Sequence, residues 1–479
     1  MTLDYNSQQL ITGTEILTAA GAISVLTRTT IIQIYTWSTL PVFTLSNPTL
    51  GLSGQKKTIV LYTSVACPVQ INLPQGSFIL PSGSVELVWN GIWYFIGTNR
   101  VPLFVTTQQG TKLVGTGYSG SAFFGNNVAI SADGNTITAG AYNDAGGIGA
   151  TWVFTRSGTV WTQQGTKLVG TGYTGGSQQQ GQAISPDGNT LVIGAPSDAG
   201  SGASWVFTRT GTVWTQQGTK LVGTGYSGTP NQGYGGSSIT SDSNTFVVGG
   251  YQDNSGLGSA WVFTRTGTVW TQQGTKLVGT GYTGNSYQSA VCISGNTIAL
   301  GGASDSSGIG AVWIFTQTGT VWTQQGTKLV GTGYSGSAAF GSSVKLSSDS
   351  NTLAVGAPSD GGTGAVWIFT RSSGGTIWTQ QGTNIIGTGY SSGSQGQSVS
   401  LTGDSNTLYS GSNGDNFSGA VFTFTRTGTV WTQQGTKLVG TGYTGSTQGF
   451  FTAISSNGNT LVESGQGDAS NTGAIWIFN

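Results

Sequence analysis

The string Thr-Gln-Gln-Gly-Thr occurs seven times, beginning at Thr107, Thr162, Thr215, Thr271, Thr323, Thr379 and Thr432. Successive copies start 55, 53, 56, 52, 56 and 53 residues apart, and 47 residues follow the last copy. A period of this size marks one supersecondary unit stacked on itself, because a single unit cannot bury its own apolar face. One full unit, residues 340–394, holds four strand-like runs at 343–347, 352–356, 365–370 and 376–386. Turn-forming residues separate them: Asp349-Ser350-Asn351, then 358–362, then 372–375. No stretch shows helical periodicity. Four strands per unit, repeated radially, predict a β-propeller blade. The expected fold class is all-β: a small N-terminal β-domain followed by a closed seven-bladed β-propeller of four-stranded blades.

Two tryptophan series run through the array. Trp152, Trp205, Trp261, Trp313, Trp367 and Trp476 sit in the third strand, with Phe422 in the remaining unit. Trp161, Trp214, Trp270, Trp322, Trp378 and Trp431 open the fourth. Recurrence at fixed strand positions is what packing between blades demands, so both series are read as core rather than as sugar-stacking aromatics. The chain ends on a third strand, residues 473–479. Its missing fourth strand stands ahead of the first full unit. The expected division is therefore 1–103 for the N-terminal domain and 104–479 for the propeller, with 105–114 completing the last blade. This join would remove an exposed sheet edge.

Composition excludes several functions. The 16 basic and 16 acidic residues cancel, and no basic stripe exists for phosphate contacts, so no nucleic-acid partner is expected. The absence of histidine removes Ser-His-Asp and Cys-His catalysis and the commonest transition-metal ligand. Cys67 and Cys292 are too few for a disulfide framework and are read as small buried hydrophobes. Residues 1–14 are polar, so no signal peptide is expected, and no apolar run is long enough for membrane insertion. Of three glutamates, Glu15, Glu86 and Glu463, one lies in the array. Paired carboxylates of the glycosidase kind are not evident, so no enzyme activity and no cofactor are expected.

The units resemble FG-GAP repeats, named for a Phe-Gly pair and a Gly-Ala-Pro triplet. Phe124-Gly125 and Phe340-Gly341 match the first element; Gly194-Ala195-Pro196 and Gly356-Ala357-Pro358 match the second. Other units are degenerate, as at Gly249-Gly250-Tyr251. The family often carries a calcium loop between the first two strands. Here the corresponding loops, such as 131–135 and 185–189, offer at most one carboxylate each, too few for calcium, and are read as hairpin turns.

Residues 1–103 lack the repeat and carry strand candidates at 23–35, 58–63, 69–73, 84–89 and 92–97, the last two around the turn signal Asn90-Gly91. The phrase at residues 79–99, with Ile71-Asn72-Leu73-Pro74, resembles β-domains of virion fibre and spike proteins of tailed phages and large DNA viruses. That resemblance implies a virion-surface protein, often a homotrimer, whose partners are other virion structural proteins and a host-surface glycan or protein. A secreted or cell-surface adhesion module, lectin-like and extracellular, is the competing expectation.

The fourth-strand segment is nearly unchanged between units, whereas two loops vary. These are the connection to the next blade (119–126, 175–182, 227–236, 284–289) and the loop between second and third strands (142–148, 197–201, 251–257, 413–418). Strand alternation places both sets at one end, the expected ligand face, although surface loops also vary through relaxed constraint. Asp144, Asp198, Asp253, Asp305, Asp360, Asp415 and Asp468 recur there. Seven carboxylates could bind a cation or a sugar; an Asx-type turn predicts the same recurrence and is the favoured reading. Tyr118, Tyr173, Tyr226, Tyr282, Tyr334, Tyr390 and Tyr443 follow the fourth strand and are expected mostly to plug the space between blades.

Overall fold

The computed structural model describes residues 104–479, except 177–179 and 446, together with the backbone of nine strands in the first 103 residues. From 104 onward the chain is a ring of seven antiparallel sheets, a β-propeller. The fifth blade is representative: Ser343–Leu346, Thr352–Ala357, Ala365–Thr370 and Thr379–Gln380, each paired with the next. The second and third strands are buried along nearly their whole length. They are β-branched, small or aromatic at every position but Leu353, as suits a sheet covered on both faces. The fourth strand alternates exposed and half-buried residues at the ring's edge.

Neighbouring blades share cores. Trp152 and Phe154 of the first blade pack with Val462, Ile475 and Ile477 of the last. Trp367 of the fifth packs with Cys292, Val312 and Ile314 of the fourth. The third-strand tryptophans are fully buried. A second hold fixes each one: the Trp152 Nε1–H donates to the Thr116 carbonyl at 2.7 Å, and the Trp205 Nε1–H to that of Thr171 at 2.8 Å. The residue before that threonine is glycine. Gly170 has no room for a Cβ, which would overlap the Trp205 indole, and Gly115 stands likewise against Trp152. The invariant Gly-Thr-Gly is thus the seat of the next blade's tryptophan, or of Phe422 in the sixth blade.

The Gln-Gln pair holds both neighbours at once. Gln163 Oε1 accepts from the N–H and hydroxyl of Thr116, in the connection from the preceding blade. Gln164 Oε1 accepts from Trp214 Nε1–H of the following blade at 2.9 Å. Arg209 lies over that same Trp214 ring, 5.3 Å from its centroid, and Trp161, Trp270, Trp378 and Trp431 each lie under an arginine in the same way, whereas Trp322 faces Gln317.

Ring closure uses the same devices. The last blade contributes Thr452–Ile454, Leu461–Gly465 and Ala474–Phe478. Residues 106–113 run along the outer side of the third of these. Gln109 N–H donates to Ile477 O at 2.7 Å, Leu113 N–H to Ile475 O at 2.8 Å, and Asn479 N–H to Thr107 O at 2.9 Å. Gln108 accepts from Thr441, 333 residues away. The fourth strand differs from the expected 376–386 run. It breaks at Gly382, whose φ of 70° turns the chain, and pairing resumes at the Ile385–Val366 bridge.

In the first 103 residues the strands form two sheets. One comprises Thr14–Leu17, Thr29–Ile34, Gln55–Thr63, Gly83–Trp89 and Trp93–Thr98; the other Gly21–Ile23, Val42–Leu45, Val69–Leu73 and Gly76–Leu80. The expected run at 23–35 is divided between them. Trp89 pairs with Trp93, bracketing Asn90 and Gly91; these two and Cys67 lie outside the described residues. Cys292 is buried, and its Sγ accepts the Leu346 N–H at 3.3 Å.

Candidate functional site

Each second strand ends at the same face of the ring, where the chain turns at the recurrent aspartate. All seven carboxylates are buried, between 0 and 3% exposed. Each is held from two sides. Asp144 Oδ1 accepts the Ser119 N–H at 2.7 Å, from the connection leaving the preceding blade, and Oδ2 accepts Lys167 Nζ at 2.5 Å. Asp198 takes Thr174 N–H and Lys220, Asp253 takes Ser227 and Lys276, and Asp305 takes Thr283 and Lys328. Asp415 pairs with Ser391 and Lys437. Asp468 pairs with Thr444 and with Lys112 of the ring-closing segment. Asp360 alone has an amide in the lysine position, Asn384 at 3.1 Å, beside the Ser335 N–H. Each aspartate therefore staples two blades, and none presents a carboxylate to solvent. Burial raises the Asp415 pKa, but Lys437 and Ser391 outweigh it and hold that carboxyl below its ordinary value.

The seven tyrosines just past the fourth strand do not plug the blades. Tyr118, Tyr173, Tyr226, Tyr282, Tyr334, Tyr390 and Tyr443 are between 38 and 45% exposed. The glycine seat and the buried tryptophan already fill the inter-blade space, which leaves the tyrosine ring at the periphery of the loop end.

The hairpins at the other end close on themselves. Asp133 accepts from Ser131 Oγ and from the Asn135 N–H at 2.9 Å, and Ser347, Asp349 and Asn351 repeat the arrangement. No group of three or more His, Cys, Asp or Glu side chains placed to hold a metal ion occurs among the described residues. These turns bond their neighbours around the channel mouth: Ala132 N–H to Pro186 O at 3.0 Å, Ser456 N–H to Ala132 O at 3.1 Å, Gly403 N–H to Ser456 O at 2.9 Å. Above them lies a central cavity of about 660 Å³, lined by the first strands. Its wall is mostly Ser, Ile and Ala; Lys345 stands in it without an ion-pair partner among the described residues.

Among the described residues, three further features break the seven-fold symmetry. On the loop end, Tyr234, Tyr251 and Tyr287 gather at the junction of the third and fourth blades. The Tyr234 and Tyr251 centroids are 4.3 Å apart, and Tyr251 and Tyr287 are 5.9 Å apart at 63°. On the same end Phe123 stacks on Tyr142 at 5.1 Å. Within the last blade, Glu463 is wholly buried, and neither carboxyl oxygen has a hydrogen-bond partner. Burial pushes it up to about 8; the Gly440 amide, already donating to Gln448 at 2.6 Å, opposes this only weakly. The equivalent positions are Ala139, Ile193, Val248, Leu300, Val355 and Ser410.

The Phe-Gly element has a packing role. Phe124 and Phe340 are buried edge-on against Trp152 and Trp367. Where glutamine replaces the phenylalanine, its amide closes on a backbone peptide. Gln232 bonds both the N–H and the carbonyl of Gly223, and Gln448 does so at Gly440. Apolar and amide plugs thus fill one socket.

No family model and no curated protein matches the chain. Solved structures do resemble it. The RRP9 WD40 repeats are 12% identical, with a TM-score of 0.48 over 78% of this chain and 99% of that one. A chain of a mitotic checkpoint complex is 14% identical, with 0.48 over 79% and 98%. An oligogalacturonate lyase from Vibrio parahaemolyticus is 11% identical, with 0.46 over 78% and 97%. Their activities do not transfer at such distances.

Proposed function

We propose that this chain is a non-enzymatic virion-surface protein whose propeller serves host attachment through its loop end. The observation that carries this reading is the polarity of the ring. The chain enters the propeller at Thr106 and Thr107, bonded to Asn479 at the closing end of a third strand. The loops that differ between blades, and the exposed aromatic clusters, lie at the other end. An anchor built from the first 103 residues would leave that end free to meet a ligand, while the stapled blades hold its loops rigidly. The ring aspartates are engaged within the fold, and Glu463 is sealed away from solvent. Both facts favour binding over acid–base chemistry at that face.

The resemblance of residues 79–99 to fibre and spike domains supports the virion setting. With it come a homotrimer and other virion structural proteins as partners. The buried plugs at Phe124 and Phe340 suit an FG-GAP-type repeat and would serve an exported adhesion module equally. Immunogold labelling with antibodies against the propeller separates these readings. Label on intact particles is expected, whereas label confined to cell surfaces would transfer the case to the adhesion module. Light scattering on the full chain is expected to give a trimer; a monomer would remove the fibre arrangement.

A further inference from the structure

We infer that Tyr234, Tyr251 and Tyr287 form a stacking site for a neutral sugar residue of a glycan. This rests on the loop end being the ligand face and names the ligand class for it. Tyr234 lies in the first strand of the third blade, Gln232–Ile239, at a register shift between Gln232 and Ser237. Gly233 and Gly236, at φ of 96° and 103°, carry the chain through that irregularity and set the tyrosine outward, 50% exposed. Tyr251 follows the second strand, and Tyr287 precedes the first strand of the fourth blade, 40% exposed. The Tyr287 ring and the Asn285 amide both lean on Gly256, where a Cβ would stand 2.8 Å from the ring and 3.2 Å from the amide nitrogen.

Packing does not require these rings. The Tyr251 position holds Tyr142, Pro196, Ala303, Pro358, Asn413 and Gln466 elsewhere; the Tyr287 position holds Phe123, Asn231, Ala339, Ser394 and Thr447. Among the described residues, only at this junction do three tyrosines coincide. The result is an angled aromatic cradle with hydroxyls at its rim, a form that offers flat apolar faces and hydrogen bonds at low entropic cost. Charge selects among occupants. The acid two residues beyond Tyr251, Asp253, is buried against Lys276, Ser259 and the Ser227 amide and offers no free charge to an ionic ligand. A pyranose matches it: an apolar C–H face for the rings and hydroxyls for Asn285 and the phenols.

The test applies the full chain to an array of immobilised neutral oligosaccharides, with sialylated and sulfated ones for comparison. Binding to a neutral set is expected. Tyr234→Ala and Tyr287→Ala should each weaken it at least tenfold, and Tyr251→Phe less. Val430→Ala, exposed at the opposite end, should leave it unchanged. Unchanged binding in the tyrosine variants would overturn the site while leaving the loop-end reading intact. Binding only to charged glycans, or to none while the chain still adheres to host cells, would overturn the ligand class. Failure of the chain to adhere to cells at all would fall on the attachment reading instead.

Discussion

Glu463 predicts an alkaline weakness in the ring. The acid is fully buried without hydrogen-bond partners, and its folded-state value is about 8 against an ordinary 4.5. The folded state therefore holds a proton that the unfolded chain has released. Stability must fall as pH rises from the unfolded value through the folded one, then level off. At 1.36 kcal/mol per unit, the loss is about 3 kcal/mol at pH 7 and about 5 kcal/mol above pH 8. Glu463→Val installs the side chain found at Val248 and Val355. It should remove the pH dependence and raise stability at pH 7 by about 3 kcal/mol. Glu463→Gln should flatten the profile as well and regain the same loss at pH 7, because its amide is as unpartnered as the protonated carboxyl but has no proton for the unfolded chain to release. Urea unfolding followed by tryptophan fluorescence at pH 5, 7 and 9 measures all three proteins. A wild-type profile that stays flat from pH 5 to 8, or that Glu463→Gln shares, would refute the reasoning.

Three further outcomes follow from the staples and the closure. Asp253→Ala strands Lys276 and the Ser227 amide and should cost about 3 kcal/mol, whereas Lys276→Asn, which copies Asn384 opposite Asp360, should cost less; denaturant midpoints compare them. Gly279→Ala drives a methyl into the Trp313 indole and should cost several kcal/mol, read as a lowered melting temperature. Asp415 sits below its ordinary value, so its contribution is complete above the usual carboxylate range and lost as pH falls through the folded value; Asp415→Asn should flatten the acid limb of the stability profile.

The seven-fold period made the blades legible because each repeat had to bury its faces on the next. Trp152 and its equivalents could be assigned to the core on recurrence alone. The aspartate staple was only half legible. The acid and the lysine both recur, yet Asp144 and Lys167 are 23 residues apart, and their meeting depends on blade geometry. The tyrosines at Tyr118 and its equivalents were misjudged, because the Gly170–Trp205 seat that displaces them joins two different units. Tyr234, Tyr251 and Tyr287 occupy three different places in the repeat, so no string brings them together. Glu463 stood out as the one glutamate of the array, but its burial came from register, opposite Trp476 and Thr452. In the first domain the five expected runs meet strands, whereas Thr14–Leu17, Val42–Leu45 and Gly76–Leu80 were not legible, nor was the parallel pairing of Thr14–Leu17, Thr29–Ile34 and Gln55–Thr63.

The most direct measurement is competition for adsorption. Host cells are incubated with purified full chain before particles are added, and bound particles are counted. The account predicts that the chain blocks adsorption in proportion to its concentration, and that changes at the loop end abolish the block while Val430→Ala at the other end does not. Undiminished adsorption at saturating protein, or a block that survives loss of the loop-end side chains, would contradict it.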